Sequence, residues 1–222
     1  MSEGVFTAAR DEMVQIIAAY ARASAERTGR TAFGERVMQA MATVPRHEFV
    51  PAELRPLAYV DSPLPIGCEK TISQPFIVAL MTDLLEIRPT DKVLEIGTGL
   101  GYQSAILAEL AARVYSVEII EELGGEAGRR LMQQGYRNIE LRIGDGGLGW
   151  PHHAPYDKIM VTAAPELMPP ALISQLKPGG RMVIPAGIED AQQLLLAEKD
   201  AGGRLRTKEM LAVRFSKLVT SH

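Results

Sequence analysis

Val93-Leu94-Glu95-Ile96-Gly97-Thr98-Gly99-Leu100-Gly101-Tyr102-Gln103-Ser104-Ala105 is the stretch from which the rest of the chain is read. It opens as a short apolar run and closes as a helix former, with glycine at every second position between. That pattern is a strand, a tight turn and a helix start. Glycine adopts positive φ freely and lets a ligand approach the backbone closely. The helix that follows offers unpaired N–H groups to whatever lies against the turn.

Outward from the turn, strand and helix patterns alternate. Strands are expected at 92–96, 113–117, 139–143, 157–162 and 180–185, with helices at 102–112, 121–134 and 170–176. Residues 192–198 and 207–215 read as a closing antiparallel pair joined through Ala201-Gly202-Gly203. Strands spaced by helices predict a doubly wound, mostly parallel α/β sheet, Rossmann-like, with crossover helices on both faces.

Upstream, helical spacing predicts helices over 8–25 and 34–42, the second stopping before Val44-Pro45 because a residue preceding proline is pushed out of the α region. A short strand is expected at 57–60. Residues 66–75 read as a loop ending in a helix start, with Ser73 as N-cap and Pro75 in the first turn. That helix runs to about Glu86, with Ile77, Leu80, Met81, Leu84 and Leu85 on its apolar face. Residues 1–88 therefore read as an N-terminal helical cap on an α/β core at 89–222, the two forming one structural unit.

Composition narrows the function classes. The 222 residues are 46% hydrophobic, enough for one core, and carry a net charge of −3. No global basic field draws the chain to nucleic acid, and its basic residues are scattered. Cys68 is the only cysteine, so neither an intrachain disulfide nor a multi-cysteine zinc site is available. His47, His152, His153 and His222 lack metal-ligand spacing, so no metal is expected. No run approaches the ~18 apolar residues of a membrane span, and the first ten residues lack an apolar signal segment. A cytoplasmic monomer is the expectation.

Taken alone, Gly97-x-Gly99-x-Gly101 is also compatible with a purely structural turn. Glu118 follows the second core strand, 17 residues after Gly101, where an acid accepts hydrogen bonds from ribose hydroxyls. The alternative is a solvated surface glutamate, since Glu121 and Glu122 follow. Gly144-Asp145-Gly146 ends the third core strand, where a carboxylate can accept from an exocyclic amine such as adenine N6; the alternative is a plain turn aspartate. The third glycine comes one position earlier than in a dinucleotide fingerprint, and Tyr102 takes the place of the last one. That spacing points away from pyrophosphate and towards a nucleoside with a short charged tail, such as S-adenosylmethionine.

From Val44 to about Phe215 the chain resembles the protein-L-isoaspartate O-methyltransferase family. The resemblance is carried by Val44-Pro45-Arg46-His47-Glu48-Phe49-Val50-Pro51, Thr71-Ile72-Ser73-Gln74-Pro75, the glycine turn, Gly144-Asp145-Gly146 and Leu176-Lys177-Pro178-Gly179-Gly180-Arg181. The glycine turn and the Lys-Pro-Gly-Gly turn recur in many S-adenosylmethionine-dependent methyltransferases; the Thr-Ile-Ser-Gln-Pro segment is far more specific. Asp157 and the Thr162-Ala163-Ala164 strand end also fit. The resemblance implies methylation of the misplaced α-carboxylate of isoaspartyl residues in damaged proteins or peptides, releasing S-adenosylhomocysteine. The ester then closes to a succinimide that partly reopens to aspartate.

The resemblance implies Ser73 as the active-site residue, with Thr71, Ile72, Gln74 and Pro75 on the acceptor. It implies Glu95, Gly97, Thr98, Gly99, Gly101, Tyr102, Gln103, Glu118, Ile119, Gly144, Asp145, Gly146 and Thr162 on the donor. From the residues alone, Ser73 serves equally as a helix cap or as a hydroxyl that holds a carboxylate at a helix N-terminus. The chain departs from the family at Cys68-Glu69-Lys70 and at Ser216-Lys217-Leu218, and both departures are expected near the acceptor groove. Other readings are a relative acting on another carboxylate, a cofactor-binding protein without turnover, and a nicotinamide oxidoreductase. The retained Ser73 opposes the second; the glycine spacing opposes the third. Cys68, His47, Trp150 and the methionines are expected to be structural.

Overall fold

The computed structural model describes residues 3–188 and 190–220. His222 lies outside them. The elements are helices α1 (Glu3–Ala23), α2 (Ala25–Thr28) and α3 (Glu35–Thr43), strands β1 (Leu64–Gly67) and β2 (Lys70–Ile72), and α4 (Pro75–Leu85). The core follows as β3 (Lys92–Ile96), α5 (Tyr102–Leu110), β4 (Arg113–Glu118), α6 (Glu121–Gln133), β5 (Ile139–Ile143), β6 (Tyr156–Val161) and α7 (Pro170–Gln175). Strands β7 (Leu176–Ile188), β8 (Ala191–Lys199) and β9 (Leu205–Val213) close the sheet. Among the described residues, four 3₁₀ turns join these elements, including Ala52–Leu57 and Pro151–His153.

The main sheet has strand order β5-β4-β3-β6-β7-β8-β9. Strands β3 to β7 run parallel; β8 and β9 are antiparallel. Chain order reverses between β3 and β6, and at such a switch point the carboxyl ends of the strands open a crevice. The period-2 alternation of buried strands sorts side chains onto two faces. Val93, Met160 and Val183 join α1 and α3–α6 in the larger core. Leu94, Ile159, Val161, Met182 and Ile184 meet Leu172 of α7 and Trp150 on the other face. The expected doubly wound sheet is present, with a thick helical face and a thin one.

Five local expectations differ. Residues 57–60 form no strand: Val60 N donates to Leu57 O and Ser62 N to Val60 O, so turns satisfy the backbone. The expected loop 66–75 contains the β1–β2 hairpin. Its turn places Cys68 (φ 50°) and Glu69 (φ 56°) in the left-handed region, the geometry of a tight hairpin without the usual Asn-Gly signal. The strand expected at 180–185 extends over Leu176–Ile188, because Leu176 pairs with Tyr156 of β6 and β8 pairs with the strand from Arg181 to Ile188. The closing strand ends at Val213, where the Gln192 amide takes over: it accepts from Phe215 N at 2.7 Å and donates to Phe215 O at 3.1 Å.

The start of α4 carries the fifth difference. Its N-cap is Gln74, and the cap is made from a distance by Asp61, whose Oδ1 accepts from Phe76 N at 2.8 Å. Asp61 Oδ2 also accepts from Gln74 Nε2 at 2.7 Å. Ser73 does not cap the helix.

Candidate active site

The turn after β3 is built from glycines that must be glycines. Gly97, Gly99 and Gly101 have φ of 93°, 57° and 97°. A Cβ on Gly97 would lie 2.4 Å from Thr162 Oγ1, and one on Gly146 would lie 2.3 Å from Ile96 Cγ2. Thr162, just past β6, donates its hydroxyl to Gly97 O at 2.7 Å, locking the switch-point strands together. Glu118, at the end of β4, accepts from Gly99 N at 2.8 Å through Oε2 and from Ile120 N at 3.0 Å through Oε1. One carboxylate thus ties the turn to the next strand end.

Beneath the turn, Glu95 is fully buried and accepts hydrogen bonds from Ser104 Oγ and, at 2.6 Å, Ser116 Oγ. Thr98 Oγ1 extends this chain to Ser116 Oγ at 2.6 Å. Burial pushes the Glu95 carboxyl up from 4.5 to about 7, against the pull of the two serines. Glu95, expected on the donor, is here buried behind the turn, which it supports through the two serines.

Two connected cavities meet at the carboxyl ends of the strands. The first holds about 600 Å³ of empty space, partly open, walled by Gly97 and Gly99, Glu118–Ile120, Gly146, Thr162 and the hairpin residues Ile66, Lys70 and Thr71. The second, about 810 Å³, is a groove between Thr71, Ser73, Gln74 and Ile77 on one side and Ala212–Ser216 on the other. Thr71 and Thr162 line both. A smaller recess between them is walled by Ile72, Ser73, Thr98, Tyr102 and Gln103. Among the described residues, the Ser73 hydroxyl makes no hydrogen bond, so it stands uncommitted on the walls of both recess and groove.

The remaining expected residues fall around this centre. Tyr102 is buried against Phe49 and beneath the Arg46 guanidinium, which lies 4.8 Å from its ring. Gln103 Nε2 donates to Thr82 Oγ1 at 3.0 Å. Pro75 is buried at the first position of α4. Gly101 bears on Leu131 of α6, at the back of the turn. Gly144 and Asp145 stand just behind Gly146; Asp145 Oδ1 accepts from Gly147 N at 2.7 Å, the turn role that the sequence left open.

Sequence reasoning passed over Arg46. Its side chain is wholly buried, with Nε donating to Ala58 O at 2.8 Å and Nη2 to Ser73 O at 2.7 Å. It therefore sets the main chain at Ser73. Its presence in the Val44–Pro51 motif was the available signal, and no local pattern ties it to Ser73. His47 is structural as expected, bonded to Tyr59 Oη at 2.8 Å and stacked on Phe6. Trp150 packs against Tyr115 and His153.

Of the two departures from the family pattern, Lys70 and residues 216–218 line the first cavity, and Ser216 also lines the adjoining groove. Lys70 lines that cavity, and exposed Cys68 approaches Glu122 Oε2 at 3.7 Å. Residues 216–219 cross its mouth, held by Ala164 N to Ser216 O at 2.8 Å and Leu218 N to Ala164 O at 2.9 Å.

A family model described as protein-L-isoaspartate(D-aspartate) O-methyltransferase matches residues 23–222. The chain belongs to this family. Among its relatives, protein-L-isoaspartate O-methyltransferase 1 of Polaromonas sp. is 61% identical over 98% of this chain and 92% of its own length. Protein-L-isoaspartate O-methyltransferase 2 of Syntrophobacter fumaroxidans is 56% identical over 98% of this chain and 88% of its own. A solved structure of a protein-L-isoaspartate O-methyltransferase superposes with a TM-score of 0.80 at 28% identity, over 94% of this chain and 65% of the other. A structure from Plasmodium falciparum, solved with S-adenosyl-L-homocysteine, shares the fold at a TM-score of 0.75 and 20% identity, over 85% of this chain and 92% of the other.

Proposed function

We propose that this chain transfers the methyl group of S-adenosylmethionine to the α-carboxylate of L-isoaspartyl residues, with the first cavity taking the donor and the adjoining groove the acceptor. Family membership supports the reaction. The observation that carries the division of labour is Ser73, an uncommitted hydroxyl on the groove wall while Asp61 does the capping.

The residues fit the donor. The crevice floor lacks Cβ atoms where they would meet Thr162 and Ile96, so a flat nucleoside can approach the backbone. Glu118 and Ile119 would hold the ribose edge and Gly146 the base, with Asp145 behind it for an exocyclic amine. Gly97, Gly99 and Thr162 would face the charged tail, and Thr98, Tyr102 and Gln103 the junction with the groove. When bound, the donor supplies an electrophilic methyl on sulfur.

The chain itself has little proton chemistry to perform. A free carboxyl with a pKa of roughly 3–4 is already ionised at neutral pH, so no general base is needed. Its work is to orient the acceptor oxygen and strip water from it. Ser73 would donate to one carboxylate oxygen, leaving the other for the methyl; Thr71, Ile72, Gln74 and Pro75 would shape the wall around it. Lys70 lines the first cavity, so the unusual hairpin loop gives no support to a different carboxylate acceptor.

The proposal includes a cytoplasmic monomer acting on isoaspartyl proteins without a nucleic-acid partner; the net charge of −3 supports the last point. Among the described residues, no helix is long and apolar enough to cross a membrane. The test is incubation with labelled S-adenosylmethionine and paired peptides that differ only in isoaspartate or aspartate. Base-labile label on the isoaspartyl peptide alone is expected. Label on both, or on neither while the donor binds, overturns the assignment.

A further inference from the structure

At the opposite end of the sheet from the active site, a groove holds about 930 Å³ of empty space, partly open to solvent. It lies where β6 and the paired part of β7 begin and β8 ends. Its walls carry Arg88, Lys158, Arg181, Lys199 and Arg206 against Glu86, Glu198 and Asp200. The local balance is thus positive on a chain whose net charge is negative.

The acids of the groove are already engaged. Glu86 accepts from Arg30 at 2.7 Å and pairs with Arg181 at 2.6 Å; Glu198 pairs with Arg181 at 2.8 Å. Asp200 Oδ1 accepts from Gly202 N and Arg204 N. Of the cations, Arg181 is used by those acids, and Lys199 donates to Ile173 O and Leu176 O. That leaves three. Among the described residues, the side chains of Arg88 and Arg206 have no ion-pair partner within reach. Lys158 is only 8% exposed, yet its ammonium makes no hydrogen bond and comes no closer than 3.9 Å to Asp91 Oδ2. Burial lowers the Lys158 pKa, Asp91 opposes that, and Arg181 and Arg88 add to the lowering.

An ammonium whose one ion pair, to Asp91, is long, with guanidinium groups beside it and the acids of the groove engaged, leaves the groove with spare positive charge. The left-handed turn at Gly179 (φ 79°) carries no side chain that would close the groove from that side. We propose that this groove binds a phosphate-bearing anion, with Lys158 at its base and Arg88 and Arg206 closing on the phosphate oxygens. Guanidinium forks match phosphate oxygens in pairs, and the compact ammonium acts as a point charge beneath them. The volume accommodates either a free polyphosphate or a nucleotide.

The test is calorimetric titration of pyrophosphate, and separately of ATP, into the full chain saturated with S-adenosylhomocysteine, so that the donor cavity is filled. Saturable one-to-one binding at low salt is expected, weakened by about tenfold in Lys158→Gln and in Arg88→Ala/Arg206→Ala. The double variant alters only surface guanidinium groups, so it keeps the test valid where Lys158→Gln does not fold. Methyl transfer is expected to be unchanged in it. Tighter pyrophosphate than ATP identifies a free polyphosphate as the ligand; the reverse identifies a nucleotide. No saturable heat with either, or the same affinity in the double variant as in the unaltered chain, overturns the proposal.

Discussion

The turn after β3 is fixed from three directions, whereas Ser73, on the wall of the adjoining recess, is fixed only through its main chain. Glu118 holds the turn from the side, Thr162 from the next strand, and buried Glu95 with its two serines from below. Ser73 has its carbonyl on Arg46 and a helix start braced by Asp61, while its hydroxyl is uncommitted. A nucleoside site benefits from a rigid, preorganised cradle. An acceptor wall that admits many peptide sequences needs one positioned donor and few other demands. The difference predicts that substitutions at the turn register in folding and donor affinity, and those around Ser73 in transfer.

The largest expected effect lies under the turn. Glu95 has a folded pKa near 7 against 4.5 when exposed. An acid raised in this way contributes stability below its unfolded value and loses it as pH rises through its folded value. Relative to Glu95→Gln, which cannot ionise, the unaltered chain should lose up to about 3 kcal/mol of stability between pH 4.5 and 7. Denaturant melts of both proteins at several pH values measure this. Parallel stability curves would mean that Glu95 is ionised in its pocket and that the turn is not held by a neutral acid.

Next, Ser73→Ala should lower kcat/KM for an isoaspartyl peptide by well over about tenfold, with S-adenosylmethionine affinity near that of the unaltered chain. Equal rates would make the uncommitted hydroxyl irrelevant and end the contrast between the two sides. Glu118→Ala should do the opposite, weakening donor binding by about tenfold through lost charged acceptors and a loosened Gly99 amide, with a smaller effect on turnover of the bound donor. Calorimetry with S-adenosylmethionine separates the two; an unchanged dissociation constant removes Glu118 from the site.

The two sides also differed in how far the sequence revealed them. The core was legible because its signals are local: β3 and β5 begin and end at the expected residues, and the glycine turn announces its own positive φ. The acceptor side depends on contacts that no window contains. Asp61 caps a helix that starts 14 residues later, and Arg46 reaches Ser73 across 27. Ser73 beside Pro75 looked like a helix cap because Ser-x-Pro is a good local cap, and a distant carboxylate took that place. The β1–β2 hairpin was hidden for another reason: Cys68 and Glu69 hold left-handed conformations that their residue types disfavour. Even Glu95 reads as a ligand acid in sequence, since burial is what turns it into a support.

The smallest expected effect tests how Ser73 is aimed. Asp61→Ala removes the acceptor for Phe76 N and for the Gln74 amide, which should cost about 1 kcal/mol of stability, the usual value of a cap. If the cap also fixes the orientation of Ser73, kcat/KM should fall several-fold with donor affinity unchanged. In Asp61→Ala/Ser73→Ala the second loss should then vanish, because there is no hydroxyl left to misplace. Additive losses in the double variant would show that Asp61 merely stabilises α4. In that case Arg46 alone, through the Ser73 carbonyl, sets the hydroxyl against the acceptor.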